Sequence, residues 1–291
     1  MEPILVIVGE TASGKSDLAF KLAQELNGEI ICADSWTVRR QMDIGTAKPS
    51  AEEQAAVKHH LLDAVDPEQP YSAAVFKKQA LDAIHDIQNR GKLPIMVGGT
   101  GLYIDGVIFD YNFLPAGPPG QREALEQLTR EELLDKIKEQ NIDLGNTDTR
   151  NKRRLMRLLE TNGAQQTKGQ LQKGTIIIGL LPEREQLKER ITKRVDHMLE
   201  QGLEQEVQKL AQKYGWEAEG LKGIGYREWQ DYFNGQQSLD ISRQRIISST
   251  VGLAKRQETW FKRNKAIQWF STPVDYTQVV DYVTTELNTL G

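Results

Sequence analysis

Ile4-Leu5-Val6-Ile7-Val8-Gly9-Glu10-Thr11-Ala12-Ser13-Gly14-Lys15-Ser16 is the stretch whose reading decides the fold. It opens with an apolar, β-branched run. Gly9 through Ser16 then fits the glycine-loop pattern that cradles phosphate. A helical pattern follows, with Leu18, Ala19, Leu22, Ala23 and Leu26 on one face, and Asn27-Gly28 ends it. Strand, loop and helix in this order let successive backbone N–H groups converge on an anion at a helix N-terminus. Lys15 would add positive charge, and the Ser16 hydroxyl could ligate Mg²⁺. The loop predicts a bound di- or triphosphate and leaves open what is done with it.

Working outward, short apolar runs at 4–8, 29–33, 93–97 and 175–181 read as strands separated by helical patterns. We expect an α/β fold: a P-loop, nucleotide-kinase-like parallel sheet flanked by helices, with a small helical insertion. Three loops should meet beyond the carboxyl ends of the strands: the phosphate loop, Asp34-Ser35 and Gly98-Gly99-Thr100-Gly101. The Pro- and Gly-rich stretch Leu114-Pro115-Ala116-Gly117-Pro118-Pro119-Gly120 breaks the pattern. Residues 1–115 and 173–291 are therefore read as the core and 116–172 as the insertion, with helices at 121–140 and 151–160. Further helices are expected at 185–199, 203–214 and about 241–261, with a closing helix after Thr272. Trp260, Trp269 and Phe270 are expected to cover the sheet.

The 291 residues suffice for one sizeable core and a smaller second unit. At 27% charged and 38% hydrophobic, the composition is that of a soluble globular protein, which argues against wholesale disorder. The single cysteine, Cys32, excludes an internal disulfide and suits a reducing cytoplasm. No apolar run approaches the ~20 residues that span a bilayer. Met1-Glu2-Pro3 leads straight into the first strand, so we expect a cytoplasmic chain with no signal peptide and no membrane contact. A monomer is the default expectation. The net charge of −4 opposes indiscriminate coating of nucleic acid, but basic residues cluster at 150–157 and again at 243–265. Such clusters either hold a polyanion at one face or are solvated helix faces.

Asp34 ends a strand beside the loop. It could hold Mg²⁺ through water, accept a proton from a nucleophile, or cap a helix. Gly98-Gly99-Thr100-Gly101 allows a ligand close to the backbone, with Thr100 as hydrogen-bond donor, or is an ordinary tight turn. Arg190 and Arg194 share a helix face and form either a diphosphate clamp or a solvated stripe. His59-His60 lacks metal spacing, because adjacent helical residues diverge. Cys32 reads as packing.

Taken together the motifs resemble the tRNA dimethylallyltransferase (isopentenyltransferase) family, bacterial type. They are the phosphate loop; Ala33-Asp34-Ser35; Met42-Asp43-Ile44-Gly45-Thr46-Ala47-Lys48-Pro49; Val97-Gly98-Gly99-Thr100-Gly101-Leu102-Tyr103; Arg153-Arg154-Leu155-Met156-Arg157; Gly202-Leu203 with Glu206-Val207; Gly223-Ile224-Gly225-Tyr226-Arg227-Glu228; and Ala254-Lys255-Arg256-Gln257. The resemblance runs from about residue 4 to 270. It implies transfer of a dimethylallyl group from its diphosphate to N6 of adenosine 37, beside the tRNA anticodon. On that likeness Gly9, Glu10, Thr11, Ala12, Ser13, Gly14, Lys15 and Ser16 would hold the donor diphosphate, with Mg²⁺ on Ser16. Asp34 would accept the amine proton, Thr11 would position the reacting groups, and Thr100 and Arg194 would neutralise the leaving diphosphate. Adenosine 37 would be flipped out of its stack. Asp34, Ser35, Trp36, Thr37, Gly101, Arg153, Arg154, Arg157, Lys222, Gly225, Tyr226, Arg227, Lys255, Arg256, Gln257 and Lys262 would contact the anticodon stem-loop.

Glu10 stands where the family usually has proline. Thr37 and Arg39 stand where many members have glutamine and tyrosine. The insertion is short, and no C-terminal zinc-finger pattern follows. The alternative readings are a P-loop small-molecule or nucleoside kinase with Asp34 as base, an enzyme prenylating free AMP, and a non-catalytic RNA-binding module.

Overall fold

The computed structural model describes every residue except Met1, Ala116, Gln165 and Gly291. Ala116, where the sequence sets the start of the insertion, thus lies outside the described residues. In chain order the elements are β1 (Ile4–Gly9), α1 (Lys15–Glu25), β2 (Gly28–Cys32), α2 (Ala51–Ala56), β3 (His59–His60), α3 (Ala73–Asn89), β4 (Leu93–Gly98), α4 (Gly101–Ile108), α5 (Gln121–Glu126), α6 (Arg130–Glu139), α7 (Lys152–Glu160), β5 (Thr175–Leu181), α8 (Arg184–Glu200), α9 (Leu203–Tyr214), α10 (Gln230–Phe233), α11 (Leu239–Phe261), β6 (Gln268–Ser271) and α12 (Tyr276–Leu290).

The six strands form one parallel sheet in the order β3-β2-β4-β1-β5-β6, with helices against it. β1 and β2 are buried over their whole lengths. Near-continuous apolar strands of this kind are those of a parallel sheet covered on both faces. α1 packs Leu18, Ala19, Leu22 and Ala23 into the same core as Leu5, Ile7, Ile95 and Ile178.

Two strands go beyond the four expected. β3 is only His59 and His60, paired with Ile30 and Ile31, which is too short to show a periodicity. It corrects the helical premise on which a metal role for the histidines was rejected. His60 Nε2 instead lies 2.8 Å from the buried Glu29 carboxylate. β6 pairs with β5, so Trp269 and Phe270 belong to the sheet rather than lying across it. The single helix expected at 121–140 is broken at Thr129, which caps α6 through a reciprocal box with Glu132.

The chain divides into two compact units, 1–108 with 171–291, and 109–170. The smaller unit begins and ends earlier than the sequence suggested. Asn112 bridges Thr167 antiparallel, and Gly169 N–H donates to the Phe109 carbonyl, so these flanks pair with each other. Its core is Leu125, Leu133, Ile137, Leu155, Met156, Leu158 and Leu159. Among the described residues no helix is long and apolar enough to cross a membrane.

Candidate active site

β4 is inserted between β1 and β2 in the sheet. The chain therefore reverses its direction of winding there, the crevice where open α/β sheets bind ligands. The segments that follow these strands emerge side by side: 10–14 after β1, 34–37 after β2 and 99–101 after β4. Hydrogen bonds lock them together. Ala33 N–H donates to the Val97 carbonyl at 2.7 Å and Thr100 N–H to the Ala33 carbonyl at 3.2 Å. Ser35 N–H donates to Thr100 Oγ1 at 3.0 Å. Gln257, on α11, ties the first loop to the third. Its Oε1 accepts from Thr11 N–H at 2.8 Å, and its Nε2 donates to the Gly99 carbonyl at 3.0 Å. A Cβ on Gly99 would stand 2.1 Å from Gln257 Nε2, so only glycine admits this brace.

In the phosphate loop Gly14 is left-handed (φ 89°), which turns the chain into α1 at Lys15. The Lys15 ammonium donates to the Glu10 carbonyl at 3.0 Å. Loss of solvent pulls its pKa down to about 8, against the upward pull of Asp34. Ser13 is buried and its hydroxyl has no partner among the described residues. Ser16 is exposed in the first turn of α1. Glu10, where the family usually has proline, is buried, and desolvation followed by repulsion from Glu258 raises its carboxyl to about 7.

Asp34 Oδ1 accepts from Trp36 N–H at 2.8 Å and Thr37 N–H at 3.4 Å. The capping role weighed for this carboxylate is thus present, as a turn rather than a helix cap, and it fixes the orientation of the group. The Asp34 charge acts on both Lys15 and Arg194. Arg194, on α8, has its pKa lowered by burial and donates to the Thr46 carbonyl at 3.4 Å. Its neighbour Arg190 reaches Thr272 instead. Lys15, Asp34, Thr100 and Arg194 are therefore brought to one edge.

The segment after Asp34 is braced from inside. Arg39 is 5% exposed, and its Nη1 faces the carbonyls of Asp66, Pro67 and Gln69. It is committed to the chain itself. Trp36 packs against Gly223, where a Cβ would touch its ring at 2.9 Å. Thr37 Oγ1 is buried without a partner among the described residues. The buried Lys48 ammonium donates to the Arg39 carbonyl, Asp43 and Asp63 at 2.6–2.7 Å.

The structure places the residues assigned to RNA in different surroundings. Tyr226 is fully buried, and its hydroxyl donates to Glu206. Gly225 is buried too, and its N–H donates to Glu228. Gln257 is spent on the brace described above. Arg157 donates to the Leu114 and Pro115 carbonyls and pairs with Glu160, inside the smaller unit. Gly101 is half-buried beside Trp260, whose Cδ1 would lie 2.2 Å from a Cβ there. Arg153, Arg154, Lys222, Arg227, Lys255, Arg256 and Lys262 are exposed, with Lys222, Arg227 and Lys262 paired to Glu219, Glu228 and Glu258. The braces Gln257, Lys48 and Arg39 went unread because a side chain aimed at backbone leaves no spacing pattern.

Oxygen donors suit a hard cation here. The exposed Ser16 hydroxyl is the kind of oxygen donor Mg²⁺ takes when substrate phosphate and water complete its shell. Among the described residues no cluster of three or more His, Cys, Asp or Glu could hold a metal alone.

The chain matches the IPP transferase family over residues 37–264. It is 40% identical to a tRNA dimethylallyltransferase of Anoxybacillus flavithermus, covering 94% of this chain and 92% of the relative. The full-length tRNA isopentenylpyrophosphate transferase of Bacillus halodurans has a similar fold, with TM-score 0.79, 36% identity, and 99% and 98% of the two chains covered. A eukaryotic dimethylallyltransferase acting on tRNA superposes with TM-score 0.75 at 27% identity over 96% of this chain and 75% of its own. A six-stranded parallel sheet with its phosphate loop at the winding reversal, and this similarity along nearly the whole chain, make the protein a member of the IPP transferase family.

Proposed function

We infer that this chain is a tRNA dimethylallyltransferase, which moves a dimethylallyl group from its diphosphate to N6 of adenosine 37. The observation that carries this reading is the meeting of Lys15, Asp34, Thr100 and Arg194 at one edge of the sheet. Two cations and a carboxylate in electrostatic contact suit a reaction that expels a diphosphate and loses a proton. Relatives named for prenyl transfer favour this over phosphoryl transfer.

The donor diphosphate would lie on the phosphate loop against the N–H groups of 14–16, with Lys15 and Arg194 as counter-charges, while the Thr11 N–H stays on Gln257. N6 of the flipped adenine attacks the allylic carbon, the carbon–oxygen bond to diphosphate breaks, and the amine proton passes to Asp34. The adenine amine is a poor nucleophile, because its lone pair is delocalised into the ring. The Asp34 turn therefore matters: two backbone N–H groups hold the carboxylate where the proton leaves. Lys15, Arg194 and the Thr100 hydroxyl oppose the charge that grows on the departing oxygen. Mg²⁺ held by Ser16 would add further positive charge against the diphosphate. Exposed Lys255 and Arg256 on α11 would contact phosphates of the anticodon arm, and Arg153 and Arg154 of the smaller unit are, by themselves, further phosphate contacts in this reading. We place the enzyme in the cytoplasm, acting as a monomer.

The test is incubation with Mg²⁺, radiolabelled dimethylallyl diphosphate and unmodified tRNA carrying adenosine at 36 and 37, followed by digestion. Labelled N6-prenyl adenosine from position 37 is expected. ATP consumption with small acceptors and no transfer would move the assignment to the kinase alternative.

A further inference from the structure

Residues 43–45 present three successive backbone N–H groups to one point, and Glu206 fills it. Glu206 Oε2 accepts from Asp43 N–H at 2.9 Å and Ile44 N–H at 2.8 Å. Its Oε1 accepts from Gly45 N–H at 3.0 Å and from the Tyr226 hydroxyl at 2.7 Å. Converging amides of this kind make an anion site. Here the anion is the protein's own carboxylate, carried on the first turn of α9. Tyr226 closes the cradle from below. It is fully buried, and burial beside Glu206 raises its pKa, so it stays a donor. Gly45 is obligatory, since a Cβ would lie 2.6 Å from the Tyr226 hydroxyl.

The cradle leads directly to the candidate site. Thr46 follows Gly45, its hydroxyl donates to the Met42 carbonyl at 2.5 Å, and its own carbonyl accepts from Arg194 Nη2. That carbonyl is the hydrogen-bond acceptor of the Arg194 guanidinium among the described residues; Asp34 and Asp17 act on it only through space. We propose that Glu206 is a positioning residue for the leaving diphosphate: its charge, acting through the 43–45 cradle and the Thr46 carbonyl, sets where the Arg194 guanidinium stands. The inference rests on the prenyl-transfer reading of Arg194. A carboxamide at 206 offers one accepting oxygen and turns an NH₂ toward N–H or O–H donors, so the cradle must open.

The test is a cycle of Glu206→Gln and Arg194→Ala in single-turnover prenyl transfer to tRNA. Glu206→Gln alone should slow transfer about tenfold. Arg194→Ala alone should cost about 10²-fold or more. The double variant should match Arg194→Ala within about a factor of two, because sites acting through one group are not additive. Multiplied losses would overturn the inference and leave the prenyl-transfer reading intact. No transfer by the unaltered chain would overturn that reading and the inference with it. If Glu206→Gln does not fold, Tyr226→Phe removes one donor and keeps the ring. Its loss of about threefold should vanish in the Arg194→Ala background.

Discussion

The phosphate edge and the residues first assigned to RNA differ in the fold. Lys15, Asp34, Thr100 and Arg194 come from four distant stretches of sequence and meet at one edge. Of the residues assigned to RNA, Tyr226, Gln257 and Arg157 are turned inward and hold the protein together. Both sets bond to the chain itself, Lys15 to the Glu10 carbonyl and Arg194 to the Thr46 carbonyl included; the difference is that the charges of Lys15, Asp34 and Arg194 also act on one another at one edge. A diphosphate site needs charges at fixed places, and here they come from strand ends (Asp34, Thr100) and from helices (Lys15 on α1, Arg194 on α8). The exposed basic residues proposed for RNA lie on α7 in the smaller unit and, separately, on α11 and the turn at Lys222 in the larger one.

The largest test of this contrast is Asp34→Ala. Turnover should fall by about 10²–10⁴-fold, the usual worth of a positioned base, while tRNA affinity is unchanged in a filter-binding assay. A parallel loss of affinity would place Asp34 on the RNA side. Gln257→Ala comes next. It removes two hydrogen bonds at a residue 8% exposed and strands the Thr11 N–H and Gly99 carbonyl, a loss of roughly 1–3 kcal/mol in chemical denaturation. The KM for dimethylallyl diphosphate should rise with it, and tRNA affinity should hold. If tRNA affinity fell instead, Gln257 would be an RNA contact after all.

A smaller effect is expected from Arg153→Ala and Arg154→Ala. Each should weaken tRNA binding and lower the slope of log affinity against log salt by about 1, with the donor KM unaltered. The smallest is a pH effect. Lys15 loses its positive charge as pH rises through about 8, and Glu10 gains a negative one as pH rises through about 7. Both changes disfavour a diphosphate, so kcat/KM for the donor should decline from pH 7 upward. Around Glu10 stand Glu258, Arg184, Lys262 and Lys15, and around Lys15 stand Asp34, Arg194 and Glu10. Glu10→Gln should remove the lower step and leave the upper one.

Much of the architecture was legible because it is local. The β1 run, the phosphate loop and α1 are consecutive, and a buried parallel strand is apolar throughout. β3 and β6 were not legible, since two and four residues at the sheet edges leave no periodic signal. The compact smaller unit, 109–170, has other limits than those read from proline and glycine, which mark a turn, whereas the pairing of Asn112 with Thr167 joins its flanks.

By itself the sequence determined the phosphate loop, the parallel sheet and the identities of Lys15, Asp34, Thr100 and Arg194 as candidates, because strand, loop and helix patterns are written in neighbouring residues. Only the tertiary structure decided which polar side chains are free to meet a ligand. Gln257 faces Thr11 across 246 residues of chain, and Glu206 faces Asp43 across 163. Whether such a group bonds backbone or substrate depends on what the fold sets opposite it, and spacing along the chain does not encode that.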